Sequence, residues 1–155
     1  MIPRIGDLLE IKTPIGFAYA LYTHKHTEPP KFGALIRVFD RIYSERPRDL
    51  SPIANESVRF STFFPVGAAV KRGIVEIVAR LPVPPDLAVF PILRNGTIDP
   101  KTRKVEVWWL WDGSKETRVG KLSAEQRKLS FRAVWNDTFL VERIAEGWRP
   151  ETDRR

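Results

Sequence analysis

The chain has 155 residues, 43% of them hydrophobic and 29% charged, proportions that suit one folded domain and exclude wholesale disorder. It has no cysteine and 13 prolines; the first excludes disulfides, thiol nucleophiles and thiolate metal sites, and the second argues against a helix bundle, because proline breaks helix interiors. The net charge is +7 and the isoelectric point about 10.0, a balance that draws acidic partners and speeds encounter with them, or serves solubility alone.

Residues 5–12 read as a first strand, with Ile5, Leu9 and Ile11 apolar. Charges at Arg4, Asp7, Glu10 and Lys12 interrupt it before an apolar stretch of secretory length forms, and no later run reaches the roughly 18 apolar residues of a membrane span. The expectation is a soluble cytoplasmic protein with no membrane partner. Pro14-Ile15-Gly16 marks a turn, and residues 17–26 alternate loosely as a return strand, so the chain opens on a hairpin. A loop at 27–31 leads to a long strand over 32–43, and the proline-, arginine- and acid-containing stretch 44–52 is an exposed connection. Residues 58–66 form another strand, rich in β-branched and aromatic side chains.

Residues 67–73 make a short bend or a single helical turn, and 74–83 a strand stopped by Pro82, Pro84 and Pro85. Pro91 makes 87–93 an edge strand or an irregular segment. Asn95-Gly96 and Asp99-Pro100 are turn signals. Residues 104–111, KVEVWWLW, run into Asp112-Gly113, a hairpin marker, and 114–121 is the return strand. Alternation puts Val105, Val107, Trp109 and Trp111 on one face and Lys104, Glu106, Trp108 and Leu110 on the other. Nine Lys and Arg against four acids lie between Lys101 and Arg132, so most of the excess charge belongs to this hairpin and its exit.

A helix follows, capped by Asn136 or Asp137, with Leu140, Val141, Ile144, Ala145 and Trp148 at helical spacing, Gly147 near its stop and Pro150 just beyond. Trp135 is expected to anchor this helix to the sheet. The organisation is one globular domain over 1–150 and a polar, frayed tail over 151–155. Seven to nine strands with one or two helices give a β-rich α+β fold, a strongly bent antiparallel sheet or partial barrel with a C-terminal helix.

Catalytic patterns are lacking: there is no G-x-S-x-G elbow and no glycine-rich phosphate loop. Asp7 with Glu10, or Asp40 with Glu45, could be offered as acid pairs, but solvated or salt-bridged surface acids explain them better. His24 and His26, at spacing two on a strand, share a side and could bind a metal with Glu28; two surface histidines near a loop is the preferred reading. No enzyme activity, cofactor or metal is expected. Trp109 and Trp111 read as core. Trp108 shares its face with Lys104 and Glu106, and an exposed aromatic beside basic residues suits a protein-interface hot spot or a stacking platform for single-stranded nucleic acid.

Three stretches carry a family resemblance. Gly6-Asp7-Leu8-Leu9-Glu10-Ile11 with Gly16-Phe17-Ala18-Tyr19-Ala20 resembles the opening hairpin of the Imm26-type immunity proteins of bacterial polymorphic toxin systems. Residues 72–84, RGIVEIVARLPVP, are similar to that family's central strand and its Pro-x-Pro exit, and Ala133-Val134-Trp135-Asn136 with Val141-Glu142-Arg143-Ile144 resembles its closing tryptophan and helix. The hairpin at 101–121 matches no motif of the family. The resemblance implies neutralisation of a cognate protein toxin by tight non-covalent binding, and the positive charge implies an acidic toxin surface. On this reading Trp108, Arg118 and Lys121 of the hairpin are the candidate contacts, with Arg46 and Arg48 of the proline-rich loop as a second surface. The alternative is a nucleic-acid-binding β-barrel module that uses the same basic aromatic hairpin.

Overall fold

The computed structural model describes residues 2–155. Eight strands and three α-helices run along the chain in the order β1 (Asp7–Thr13), β2 (Gly16–His26), β3 (Gly33–Phe39), β4 (Val58–Phe63), α1 (Val66–Lys71), β5 (Val75–Arg80), α2 (Pro85–Ala88), β6 (Leu93–Asn95), β7 (Trp108–Trp111), β8 (Glu116–Gly120) and α3 (Asp137–Ala145). They form two antiparallel sheets, β4-β3-β2-β1-β5 and β6-β7-β8. The fold is α+β and β-rich, as the sequence implies, and neither sheet closes into a barrel.

The opening hairpin turns at Gly16, whose φ of +134° and whose closeness to the Tyr43 carbonyl, 2.6 Å from where a Cβ would stand, leave room for glycine alone. Its register sets Leu9 opposite Ala20 and Ile11 opposite Ala18. The large sheet is covered on both faces, which is why β2 carries a continuous run of aromatic and aliphatic side chains over 17–22 and why even Asp7 and Glu10 of β1 are buried. On one face Leu9, Ile11, Ala20, Ile36 and Val38 join a core closed by Trp135, Leu140, Ile144 and Trp148. On the other, Leu8, Tyr19, Leu21 and Phe39 pack with Ile53, Ala54 and Leu87.

Several segments differ from the expectation. β3 stops at Phe39 rather than at 43, and the 40–57 connection folds back over the sheet, where a 3₁₀ turn at Ser51–Asn55 buries Ile53 and Ala54. β4 stops at Phe63, ahead of Pro65, and of the two forms expected for 67–73 the helical one is found, as α1. Pro85 starts a short helix, α2, whose Leu87 fills the second face; the first two residues of the 87–93 segment are therefore helical, and 89–92 are irregular, one of the two expected forms. Residues 104–107 lie outside β7 because the chain curls at Asp99: its carboxylate accepts from the Lys101 and Thr102 amides at 2.7 and 3.3 Å, and Arg103 takes φ 61°.

Residues 130–135 join the two sheets. The Phe63 amide donates to Ala133 O and the Trp135 amide to Phe63 O, at the β4 edge. The Arg94 amide donates to Ser130 O and the Arg132 amide to Arg94 O, at the β6 edge. The Ser61 amide donates to Ser130 Oγ at 2.8 Å. α3 then begins where expected, with Asn136 Oδ1 accepting from the Phe139 amide at 2.8 Å, and Gly147 follows its end at φ 72°. The last residues are not frayed. A 3₁₀ turn at Pro150–Thr152 brings Asp153 into the structure, where it is buried.

Candidate functional site

β6 carries an arginine in an otherwise apolar setting. Arg94 is 1% exposed. Its backbone is fixed on both sides by the 130–132 segment, and its guanidinium lies against two rings, 4.1 Å from the Phe131 centroid and 4.9 Å from that of Trp108. Nη2 donates to Pro150 O at 2.5 Å, whereas Nε and Nη1 have no hydrogen-bond partner in the chain. Burial lowers its pKa to about 10, and the nearby Arg127 cation adds to the effect.

The C-terminal residues complete the surroundings of Arg94. Asp153 accepts from Trp148 Nε1 at 3.2 Å and takes the Arg155 guanidinium on both oxygens, at 2.9 and 2.8 Å. Burial pushes this carboxyl up, but the Arg155 guanidinium and amide outweigh burial and hold it at about 2. Arg127 Nη2 donates to Asp153 O at 3.1 Å. Arg155 in turn sits over the Phe131 ring, 4.6 Å from its centroid.

These elements open onto a groove of about 560 Å³ in which Trp108 is flanked by Lys104, Lys121, Arg127, Arg154 and Arg155, with Glu106 the one acid. A smaller cavity of about 130 Å³ adjoins it, lined by Arg94, Arg132 and Arg155 and by the apolar side chains of Ile98, Val105, Trp108 and Phe131. A third cleft, of about 530 Å³, has the opposite character: Trp109 shares it with Asp99, Glu106 and Glu116.

Of the expected contact residues, Lys121 is exposed and lines the basic groove. Trp108 lines it too, but it is not the exposed anchor the alternation suggested: it is 5% exposed and packs edge-on to Phe131 with its ring under Arg94. Trp109, expected in the core with Trp111, is 36% exposed. The small sheet is covered at different ends of its two faces. Trp111 lies among Phe32, Phe63 and Phe90, and Trp108 lies on Phe131. The pairing also slips between Trp108–Gly120 and Trp109–Arg118, which leaves Val119 of β8 as a bulge. Arg118 is exposed opposite Trp109 and does not line the basic groove.

Arg46 and Arg48 are exposed on the 40–57 connection, outside this groove. Arg46 is occupied within the chain, forked onto Glu10 at 2.7 and 3.0 Å and reaching Glu76 at 3.0 Å. The histidines are latches rather than surface groups. His24 Nε2 donates to Ala88 O at 2.8 Å, and His26, which is buried, donates from Nε2 to Gly113 O at 3.0 Å and accepts the Phe32 amide on Nδ1. The acids follow the preferred reading of salt-bridged or solvated groups, although Asp7 and Glu10 are buried: Asp7 is bound by Arg80, Glu10 by Arg46 and Tyr19, and Asp40 by Arg59 and Arg149, while Glu45 is exposed.

The sequence reading missed Arg94, Arg127, Arg154 and Arg155. Arg94 left a signal as a charged residue placed directly after Pro-Ile-Leu in an apolar stretch, and Arg127 only as one of the basic residues between 101 and 132. Among the described residues no helix is long and apolar enough to cross a membrane. No protein family, no curated protein and no solved structure matches the chain.

Proposed function

We propose that the chain is an immunity-like protein that neutralises a cognate bacterial toxin by non-covalent binding, with the basic groove around Trp108 as its contact surface. The observation that carries this reading is the clustering of Lys104, Lys121, Arg127, Arg154 and Arg155 on one groove, where Glu106 is the one acid in the lining and Asp153 pairs with Arg155 beneath it. Charge of one sign focused in a concave surface speeds encounter with the opposite sign and selects against wrong partners. The floor is rigid, because Trp108 is packed against Phe131 and Arg94 and the C-terminal turn is tied to Arg94 and Arg127. A preformed surface keeps the ordering cost of association low. The resemblance of the opening hairpin, central strand and closing helix to Imm26-type proteins supplies the class of partner, and the groove's charge supplies its sign. A standard interface buries about 800 Å² on each side, which a domain of this size can offer.

The second reading, a nucleic-acid-binding module, draws on the exposed Trp109 opposite Arg118. A base stacking there would meet Asp99, Glu106 and Glu116 in the same cleft, and these acids repel a phosphate backbone. The protein-partner reading is therefore the stronger. Affinity capture with the tagged chain from its native cytoplasm, with and without nuclease, separates the two. The expected result is one near-stoichiometric toxin-like protein that survives nuclease. Nucleic acid in the untreated sample, with no protein partner after treatment, contradicts it.

A further inference from the structure

Arg94 is buried with no carboxylate hydrogen-bonded to it. A guanidinium carries five N–H donors, and on Arg94 the one on Nε and the two on Nη1 meet no acceptor. The carboxylate nearest in the network, Asp153, is already shared between both arms of Arg155 and the Trp148 indole. The rings of Trp108 and Phe131 offer their negative faces, but these leave the N–H groups at the guanidinium's edge unpaired. Arg127 and Arg155 add like charge around it, and Asp153 and Glu151 offset this from a distance without bonding to it. Nε and Nη1 of Arg94 are both shut off from solvent, so no water accepts from them while the recess is closed. A buried charge is tolerated when it is both paired and hydrogen-bonded.

We propose that the cavity beside Arg94 receives one carboxylate from the protein partner, an aspartate or glutamate side chain that enters past Arg155, displacing it, and accepts from the unpaired N–H groups of Arg94; the Arg132 guanidinium is turned away, onto Glu116. The proposal rests on the protein-partner reading above and names the group that is recognised. The cavity, about 130 Å³, has apolar walls from Ile98, Val105, Trp108 and Phe131. They suit the methylenes of an acidic side chain, with its charged head at Arg94. A phosphodiester continues into a nucleoside on both sides and needs an open track rather than a small recess. The basic groove then steers the partner, and the recess fixes its register, since charge-assisted hydrogen bonds to arginine are strong and directional.

The slot can be tested without a partner. The full chain, labelled with ¹⁵N, is titrated with acetate against chloride at constant ionic strength, and with inorganic phosphate in parallel. Acetate is expected to give saturable shifts of the Arg94 Nε–H and Trp108 indole resonances while the Trp109 indole stays unmoved. Arg94→Met, which keeps much of the stem and loses the head, is expected to abolish the response. Arg155→Ala, which leaves Arg94 in place, is expected to weaken it by about tenfold, and it keeps the test decisive if the Met variant does not fold. Absence of a saturable acetate response, the same response in Arg94→Met or in Arg155→Ala, or tighter binding of phosphate than of acetate would each overturn the proposal. Charge reversal at Lys104 and Lys121, outside the slot, probes the groove separately. If it leaves toxin capture intact while acetate still binds, the groove reading fails and the anion slot stands.

Discussion

Arg46 and Glu10, 36 residues apart in sequence, form a two-pronged ion pair: Nε donates to Oε2 at 2.7 Å and Nη2 to Oε1 at 3.0 Å. Glu10 is 2% exposed on a central strand of the large sheet and also accepts from Tyr19 at 2.8 Å. The Arg46 guanidinium holds the Glu10 carboxyl below its usual range, against burial, which pushes the other way. The arginine thus secures the 40–57 connection over the sheet. Arg46→Ala is expected to lower the melting temperature at pH 7. Because the folded carboxylate is favoured over the unfolded one, the stabilisation is present above Glu10's ordinary pKa of 4.5 and is lost as the pH falls below it. The difference between wild type and variant should therefore shrink in acid; thermal melts from pH 7 to pH 3 check it. Partner binding by the folded variant should be unchanged.

Trp108 and Trp109 make opposite predictions although they are neighbours. Trp108 packs on Phe131 and under Arg94, so Trp108→Ala is expected to cost about 3–5 kcal/mol in chemical denaturation. Trp109→Ala is expected to change stability by less than about 1 kcal/mol. If Trp108 is the residue that can be removed at little cost, the packing around Arg94 is wrong.

The closing helix depends on two adjacent residues. Trp135 meets Phe60, Phe139 and Trp148 at ring distances of 4.8 to 5.2 Å, which bears out its expected anchoring position; Trp135→Ala is expected to cost about 3–5 kcal/mol. Asn136→Ala removes the cap on the Phe139 amide and should cost about 1 kcal/mol. Urea titrations of both variants provide the comparison.

The C-terminal turn should respond to acid. Asp153 titrates at about 2 in the folded chain against an ordinary 3.8, so its contribution is complete above 3.8 and is lost as the pH falls toward 2. The Trp148 indole, which donates to Asp153, reports the change by its NMR shift. His24 acts in a higher window. Burial depresses its pKa below 6.5, so its neutral form, which accepts the Thr23 hydroxyl on Nδ1, stabilises the fold above pH 6.5 and loses that contribution as the pH falls below it. Asp153→Asn should remove the lower response and leave the upper one.

The parts of the fold governed by local chemistry were legible in the sequence. Pro14-Ile15-Gly16 located the opening hairpin, Asp112-Gly113 the second, and Asn136 and Gly147 bracketed the helix. What failed was alternation in β7, where strand period reports the face of a side chain but not whether that face is covered. Trp108 and Trp111 are both buried on a four-residue strand because Phe131 covers one and the Phe32, Phe63 and Phe90 cluster covers the other. The site was only half legible for the same reason. Lys104 and Lys121 could be suspected from the hairpin, but Arg127, Arg154 and Arg155 join them through the return of the chain past β6, a long-range contact that leaves no local pattern. The tail looked frayed because its sequence is polar, yet Asp153 is held by a tryptophan and an arginine.

The central claim is that the basic groove is where an acidic partner docks. The most direct measurement is the association rate of the captured partner with wild type and with the Lys104→Glu/Lys121→Glu variant, at low and at physiological salt. Both residues are exposed, so folding should be unaffected. A fall in association rate of at least about tenfold at low salt, shrinking as salt is added, is the predicted result. An unchanged rate at both salt concentrations in a folded variant would contradict the account and place the contact surface elsewhere on the molecule.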